Sequence, residues 1–287
     1  MNIPWIPFRW EGADFGEQHF DKAAMFVMAE LPEVGLSGLF QFDLGAPSSV
    51  LYENDVKDVL PELQARINPD KHIMLNGVEY PVISTPLLLN PQIRQEHIGL
   101  LKNFGEGDGG VTEDGVRVLG TIGADMVAGK CLLIDFPQER LAIVEQAPAE
   151  LVEEAIFTPM QKSPFGHTLL QVTVDGEQKW VMFDTGSSIF ELLTDKEQWP
   201  ALTDGQVIDK MEVPAWGNLQ TVYGGAVQVK ISLGGMPLHI RKAYRIDLEQ
   251  LVEFDRQHNL LGAMGNAPFL DYTIILDFPR QRFGVVR

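Results

Sequence analysis

A single cysteine, Cys131, is all the thiol chemistry this 287-residue chain has. One thiol closes no intrachain disulfide and builds no Cys-based zinc cluster. Flanked by Leu132, Leu133 and Ile134, it reads as a buried structural thiol rather than a reactive one. The six histidines, at positions 19, 72, 97, 167, 239 and 258, form no pair with metal-ligand spacing. No metal and no other cofactor is expected. Basic residues are few, 22 Lys and Arg against 40 Asp and Glu, for a net charge of −18. That balance excludes a nucleic-acid binder, which needs dense Lys and Arg against phosphate. No stretch approaches the ~20 apolar residues that cross a bilayer, and residues 1–10 lack a basic start followed by an apolar run. A soluble chain with no membrane partner is expected, cytoplasmic by default, and periplasmic or secreted if a leader peptide has been removed.

What is present is ordinary in bulk, with 45% hydrophobic and 22% charged residues, but 27 Gly and 18 Pro imply many turns and a β-rich fold. Residues 1–20 read as an extended aromatic arm. Apolar strands follow over Ala24–Ala29 and Leu39–Phe42, the second ending on Asp43. Residues 53–67 have apolar points at Val56, Val59, Leu60 and Leu63, the pattern of a short amphipathic helix interrupted at Pro61. Asn76-Gly77 between apolar runs is a strong hairpin signal. Residues 103–117 read as an exposed loop, and Val118–Met126 as a turn-and-helix element. A hairpin is expected over 131–144, and a helix or linker over 146–162. In the second half, His167–Val174 turns at Asp175-Gly176 and returns through Lys179–Phe183 onto Asp184.

The two halves echo each other. Asp43 recurs as Asp184, 141 residues later. Gly120 recurs as Gly262, Gly123 as Gly265, and Ile134-Asp135-Phe136-Pro137 as Leu276-Asp277-Phe278-Pro279, all 142 residues later. Several matches in order at near-constant spacing indicate two homologous β-rich lobes, 1–147 carrying Asp43 and 148–287 carrying Asp184. A lone Asp-x-Gly is usually only a turn; the duplication makes Asp43 and Asp184 a candidate facing pair. Gly120-x-x-Gly123 as a nucleotide loop fails, because no βαβ alternation surrounds it and it has a twin at Gly262.

Asp184-Thr185-Gly186-Ser187-Ser188, the echo Asp43-Leu44-Gly45-Ala46, and the segments Val118-Leu119-Gly120 and Leu260-Leu261-Gly262 together resemble the aspartic-protease superfamily, pepsin-like and retroviral-type. The resemblance implies a mostly all-β, bilobal fold of two aspartic-protease-like barrels, with few short helices and a cleft between the lobes. It implies that Asp43 and Asp184 are catalytic and activate a water against a peptide bond. Gly45, Thr185, Gly186 and Ser187 would support the pair, and the partner would be a peptide or protein substrate; a monomer is compatible with this. Two close carboxylates share a proton, a behaviour for which this same enzyme class is the standard example. Two departures stand out. Leu44 replaces the Thr or Ser whose hydroxyl would brace the opposite turn, and Ala46 replaces a Ser beside the carboxylate. Residues 53–71 look helical and polar where a first-lobe flap is expected, so the flap candidate moves to the second lobe, Trp216-Gly217 to Tyr223-Gly224-Gly225. The competing expectation is a catalytically impaired fold that binds or scaffolds peptides.

Overall fold

The computed structural model describes residues 3–75, 77–105, 112, 115–215, 218–247 and 249–287. The first half runs β1 (Ile6–Phe15), β2 (Gln18–Leu31), β3 (Leu36–Phe42), β4 (Val50–Tyr52), α1 (Leu60–Gln64), β5 (Ile67–Leu75), β6 (Val78–Asn90), β7 (Ile93–Leu101), β8 (Val118–Ile122), β9 (Cys131–Asp135) and β10 (Arg140–Val144). The second half follows with α2 (Ala149–Glu154), β11 (Ala155–Lys162), β12 (Thr168–Val174), β13 (Glu177–Phe183), β14 (Leu193–Asp195), α3 (Trp199–Leu202), β15 (Asp209–Ala215) and β16 (Asn218–Ala226). It ends with β17 (Ile231–Leu233), β18 (Met236–Pro237), β19 (Lys242–Ile246), α4 (Glu249–His258), β20 (Leu260–Met264), β21 (Thr273–Asp277) and β22 (Arg282–Val286).

The repeat seen in the residues is a repeat of strand pairing. β3 lies parallel to β8 with Phe42 opposite Ile122, and β13 lies parallel to β20 with Phe183 opposite Met264. β4 is parallel to β7 and antiparallel to β8; β14 is parallel to β19 and antiparallel to β20. Each half also carries a hairpin, β5–β6 and β15–β16, joined to its lobe through β7 and β19 respectively. The repeated glycines have a steric cause. A Cβ on Gly120 would lie 2.0 Å from the Val50 carbonyl oxygen, and one on Gly262 would lie 2.1 Å from that of Leu193. The fold is therefore two homologous, mostly β lobes with few short helices.

One six-stranded sheet, in the order β1-β10-β9-β21-β22-β11, joins the lobes, with Leu133 opposite Ile275 at its centre. Its central strands are continuous apolar runs because both of their faces are covered. Cys131 lies here, fully buried, and burial pushes its thiol up to about 12, which fits a structural role. The recurrent acids of the sheet are structural too. Asp135 Oδ2 accepts from Arg140 Nε at 2.8 Å, and Asp277 Oδ2 accepts from Arg282 Nε at 2.9 Å. Asp277 is fully buried, with Arg280 as a second, longer partner at 3.4 Å. Arg282→Met is expected to cost about 3 kcal/mol in chemical denaturation, the lower end for a broken buried pair, since Arg280 remains.

Several expectations are corrected. Within the expected arm, the described residues 3–20 form no free arm: Ile6 and Pro7 pair with β10, and from Phe8 onward β1 pairs with β2 in a long hairpin. After β8 there are successive turns, with Met126 N–H donating to Gly123 O and Lys130 N–H to Val127 O, and no helix. Residues 146–162 contain a helix only over Ala149–Glu154; from Ala155 the chain is β11, paired with β22 through Pro159 and with β12 from Met160. The helix expected over 53–67 shrinks to Leu60–Gln64, with Pro61 in its first turn, where a missing N–H costs nothing. Residues 67–75 are a strand. Asn76 and most of the 103–117 loop lie outside the described residues.

Candidate active site

β3 and β13 each deliver an aspartate into a tight turn at the junction of the lobes. The N–H of Asp43 donates to Ile122 O at 2.9 Å, and that of Asp184 to Met264 O at 3.0 Å, so each turn is fixed to its partner strand. Asp43 Oδ1 accepts from the N–H groups of Gly45 (2.8 Å) and Ala46 (3.2 Å). Asp184 Oδ1 accepts from Gly186 N–H at 2.8 Å, and its Oδ2 from Ser187 Oγ at 2.8 Å. The turns also meet across the lobes, because Gly45 N–H lies 3.1 Å from Asp184 Oδ1. A Cβ on Gly45 would sit 2.5 Å from that oxygen, and one on Gly186 2.5 Å from Asp43 Oδ1. Two glycines thus allow the two carboxylates to approach across the interface.

Thr185 ties the turns together. Its Oγ1 donates to Phe42 O at 2.8 Å and accepts from Leu44 N–H at 2.9 Å. Leu44 has no hydroxyl to return the brace; it is fully buried in the hydrophobic core instead. The brace is therefore one-sided, as the sequence implies. Ala46 likewise supplies no counterpart to the Ser187 contact.

Asn266, Ser49 and Asp125, which belong to none of the motifs above, stand behind the two turns. Asn266 Nδ2 donates to Thr185 O at 3.1 Å and to Ser188 Oγ at 2.8 Å, while Ser188 Oγ donates to Thr185 O at 2.8 Å. In the first lobe, Ser49 Oγ donates to Asp125 Oδ1 at 2.7 Å, and Gly123 N–H donates to Ser49 Oγ at 3.1 Å. Asp125 and Asn266 are 141 residues apart, so the repeat spacing is the signal that could have found them. His167 is a further residue that no motif marks. It faces Asp184 and Gly45, its Nδ1 is buried without a hydrogen-bond partner, and burial holds its imidazole below the ordinary value against the opposing pull of Asp184.

Burial, then the negative charge of Asp184, hold the Asp43 carboxyl well above the usual carboxylate range. The folded protein consequently binds this proton more tightly than the unfolded chain. Its contribution to stability is complete below the ordinary carboxylate value and is lost as pH rises through the raised one. Relative to Asp43→Asn, the wild-type protein is expected to lose stability as pH rises from about 4. Denaturation at stepped pH checks this; a constant difference would contradict it.

Two hairpins flank the pair. β5–β6 leaves a cavity of about 300 Å³ lined by Ala46, Pro47, Ser48 and Val50 on one side and by His72–Leu75 on the other. A first-lobe hairpin therefore stands over the Asp43 turn, where polar residues had suggested a helix. In the second lobe, Tyr223 and Gly224 lie within β16; Tyr223 packs under the Arg245 guanidinium at 4.6 Å, and Gly224 faces Tyr244. Trp216 and Gly217 lie outside the described residues. Among the described residues, no group of three or more His, Cys, Asp or Glu is placed to hold a metal ion. Among them, too, no helix is long and apolar enough to cross a membrane.

No family model matches the sequence, and neither does any curated protein. Among solved structures, the aspartic proteinase from Irpex lacteus is similar over 99% of this chain and 97% of its own, at 10% identity and a TM-score of 0.49.

Proposed function

We propose that the chain is an aspartic-type peptidase, with lobes 1–147 and 148–287 contributing one carboxylate each to a site that hydrolyses peptide bonds. The observation that carries this reading is the facing pair itself, with the Gly45 N–H within hydrogen-bond distance of both Asp43 Oδ1 and Asp184 Oδ1. Two carboxylates this close share one proton, and the titration belongs to the pair. Three donors (Gly186 N–H, Gly45 N–H and Ser187 Oγ) converge on Asp184. The single negative charge is accordingly better accommodated on Asp184, and the proton on Asp43.

In this reading, the ionised Asp184 takes a proton from a water, whose oxygen forms a bond to the peptide carbonyl carbon. The carbonyl oxygen takes the proton of Asp43, giving a tetrahedral gem-diol. Asp184 then passes its proton to the amide nitrogen, the C–N bond breaks, and Asp43 recovers a proton from the diol as the new carboxyl forms. Thr185 holds the two turns in register, and Gly45, Gly186 and Ser187 keep the carboxylates close and oriented. The substrate is a peptide lying between the β5–β6 and β15–β16 hairpins, which include Tyr223 and Gly224. Incubation of the purified protein with a peptide mixture from pH 3 to 8, read by mass spectrometry, tests the reading. New fragments that disappear with a statine-type inhibitor are expected; no cleavage at any pH would overturn it.

A further inference from the structure

The two lobes repeat each other closely, yet the spaces beneath their hairpins do not match. In the first lobe, Val50 of β4 pairs with Gly99, and the cavity between Pro47, Val50 and Ile73 is open. The corresponding second-lobe pairing is Leu193 with Tyr244. Ile73 lies two residues before the last pair of β5–β6, Leu75 with Val78, as Val213 lies two before Ala215 with Asn218. In the second lobe the chain itself occupies the place beneath the hairpin, and a cavity of about 610 Å³ remains on the outer side, between Phe20 and Lys22 of β2 and Ser188, Ile189 and Tyr244. Phe15 and Phe20, one on each side of the β1–β2 turn, pack with Ile189 and Leu193 against a cluster that includes Met211, Val213 and Tyr244. Their rings are 5.7 Å apart.

The reach of this hairpin is the asymmetric element. β1 and β2 stay paired from Phe8 with Val27 out to Phe15 with Gln18. Their second-lobe counterparts, β11 and β12, pair only from Met160 with Leu170 to Lys162 with Thr168. That shorter turn stops against Pro47, 3.6 Å from a Cβ on Gly166, and leaves the first-lobe cavity open. The long hairpin crosses to the root of β15, where Gln18 Nε2 donates to Asp209 Oδ1. Asp209 is itself held by Lys242 Nζ and Tyr244 Oη, each at 2.8 Å.

We propose that the tip of the β1–β2 hairpin is a built-in stop set beneath the second-lobe hairpin, so that the site takes peptides extended on the first-lobe side only and cuts close to one chain end. This rests on the peptidase reading. Two apolar rings, a buried cluster and a charged anchor hold the stop in place, and a substrate side chain would have to displace them all.

Binding of three statine-type peptides tests it: one extended by four residues only toward its N-terminus, one only toward its C-terminus, and one both ways. The wild-type protein is expected to bind one of the one-sided ligands roughly 100-fold tighter than the other two. Replacing residues 12–23 by Asn-Gly, which shortens the hairpin to a two-residue turn, is expected to abolish that preference. Phe15→Ala/Phe20→Ala, which keeps the backbone hairpin, is expected to reduce it at least several-fold should the shortened chain misfold. Equal binding of all three ligands by the wild-type protein, or a preference unchanged in a folded variant, would overturn the stop alone. Absence of binding by every form would overturn the peptidase reading and the stop with it.

Discussion

Asp184→Asn is expected to lower kcat/KM for peptide hydrolysis by about 10³-fold, within the range for removal of a general acid or base, while leaving the thermal midpoint close to wild type. The separation follows from the contacts. An asparagine side chain keeps an oxygen to accept from Gly186 N–H and Gly45 N–H, so the turn and the lobe contact persist. Its amide nitrogen can donate to Ser187 Oγ, which now donates to Asp184 Oδ2. What it cannot do is hold a negative charge or take a proton from water. The same variant removes the charge that helps raise Asp43, so the remaining carboxyl should titrate lower than in the wild-type protein, a shift visible by carboxyl NMR. A variant that is folded and fully active would show that the facing acids are only structural.

Thr185→Val is expected to cost about 3 kcal/mol and to lower activity at least tenfold. One hydroxyl serves two backbone groups of the other lobe, Phe42 O and Leu44 N–H, in a fully buried place. Removing it orphans both, and each buried unsatisfied group costs about 1–3 kcal/mol. Valine fills nearly the same volume, so the loss is polar rather than a cavity. Because Leu44 returns no brace, nothing in the first lobe makes up the difference. Thr185→Ser should recover most of both losses; a Ser variant as damaged as the Val variant would point to packing of the methyl group instead.

The parts of the molecule with a strict steric cause were legible in the residues. Asp43 and Asp184 stand at the ends of buried apolar strands, and Gly120 and Gly262 sit where a side chain would strike a carbonyl, so the repeat survives there. Their spacing carried the two lobes and the facing acids. The hairpins were less legible because they are edge structures wetted on much of their surface. β5, for example, alternates only weakly and is largely exposed through Asp70–His72, which removes the period-two signal. β1 and β2 are similarly mixed near their turn, and only the Phe15–Phe20 pair marks what they cover. His167 carried no local signal at all. Its place beside Asp184 comes from the way the β11–β12 turn crosses to the first lobe, which is a tertiary event.

Whether Asp43 and Asp184 act as one catalytic unit, as proposed, is tested by the rate of peptide cleavage by Asp43→Asn, Asp184→Asn and the double variant. Groups that share one step are not additive, so the double variant is predicted to be no slower than the slower single variant. Either single variant retaining the wild-type rate, or losses that multiply in the double variant, would show that the two carboxylates do not share one step.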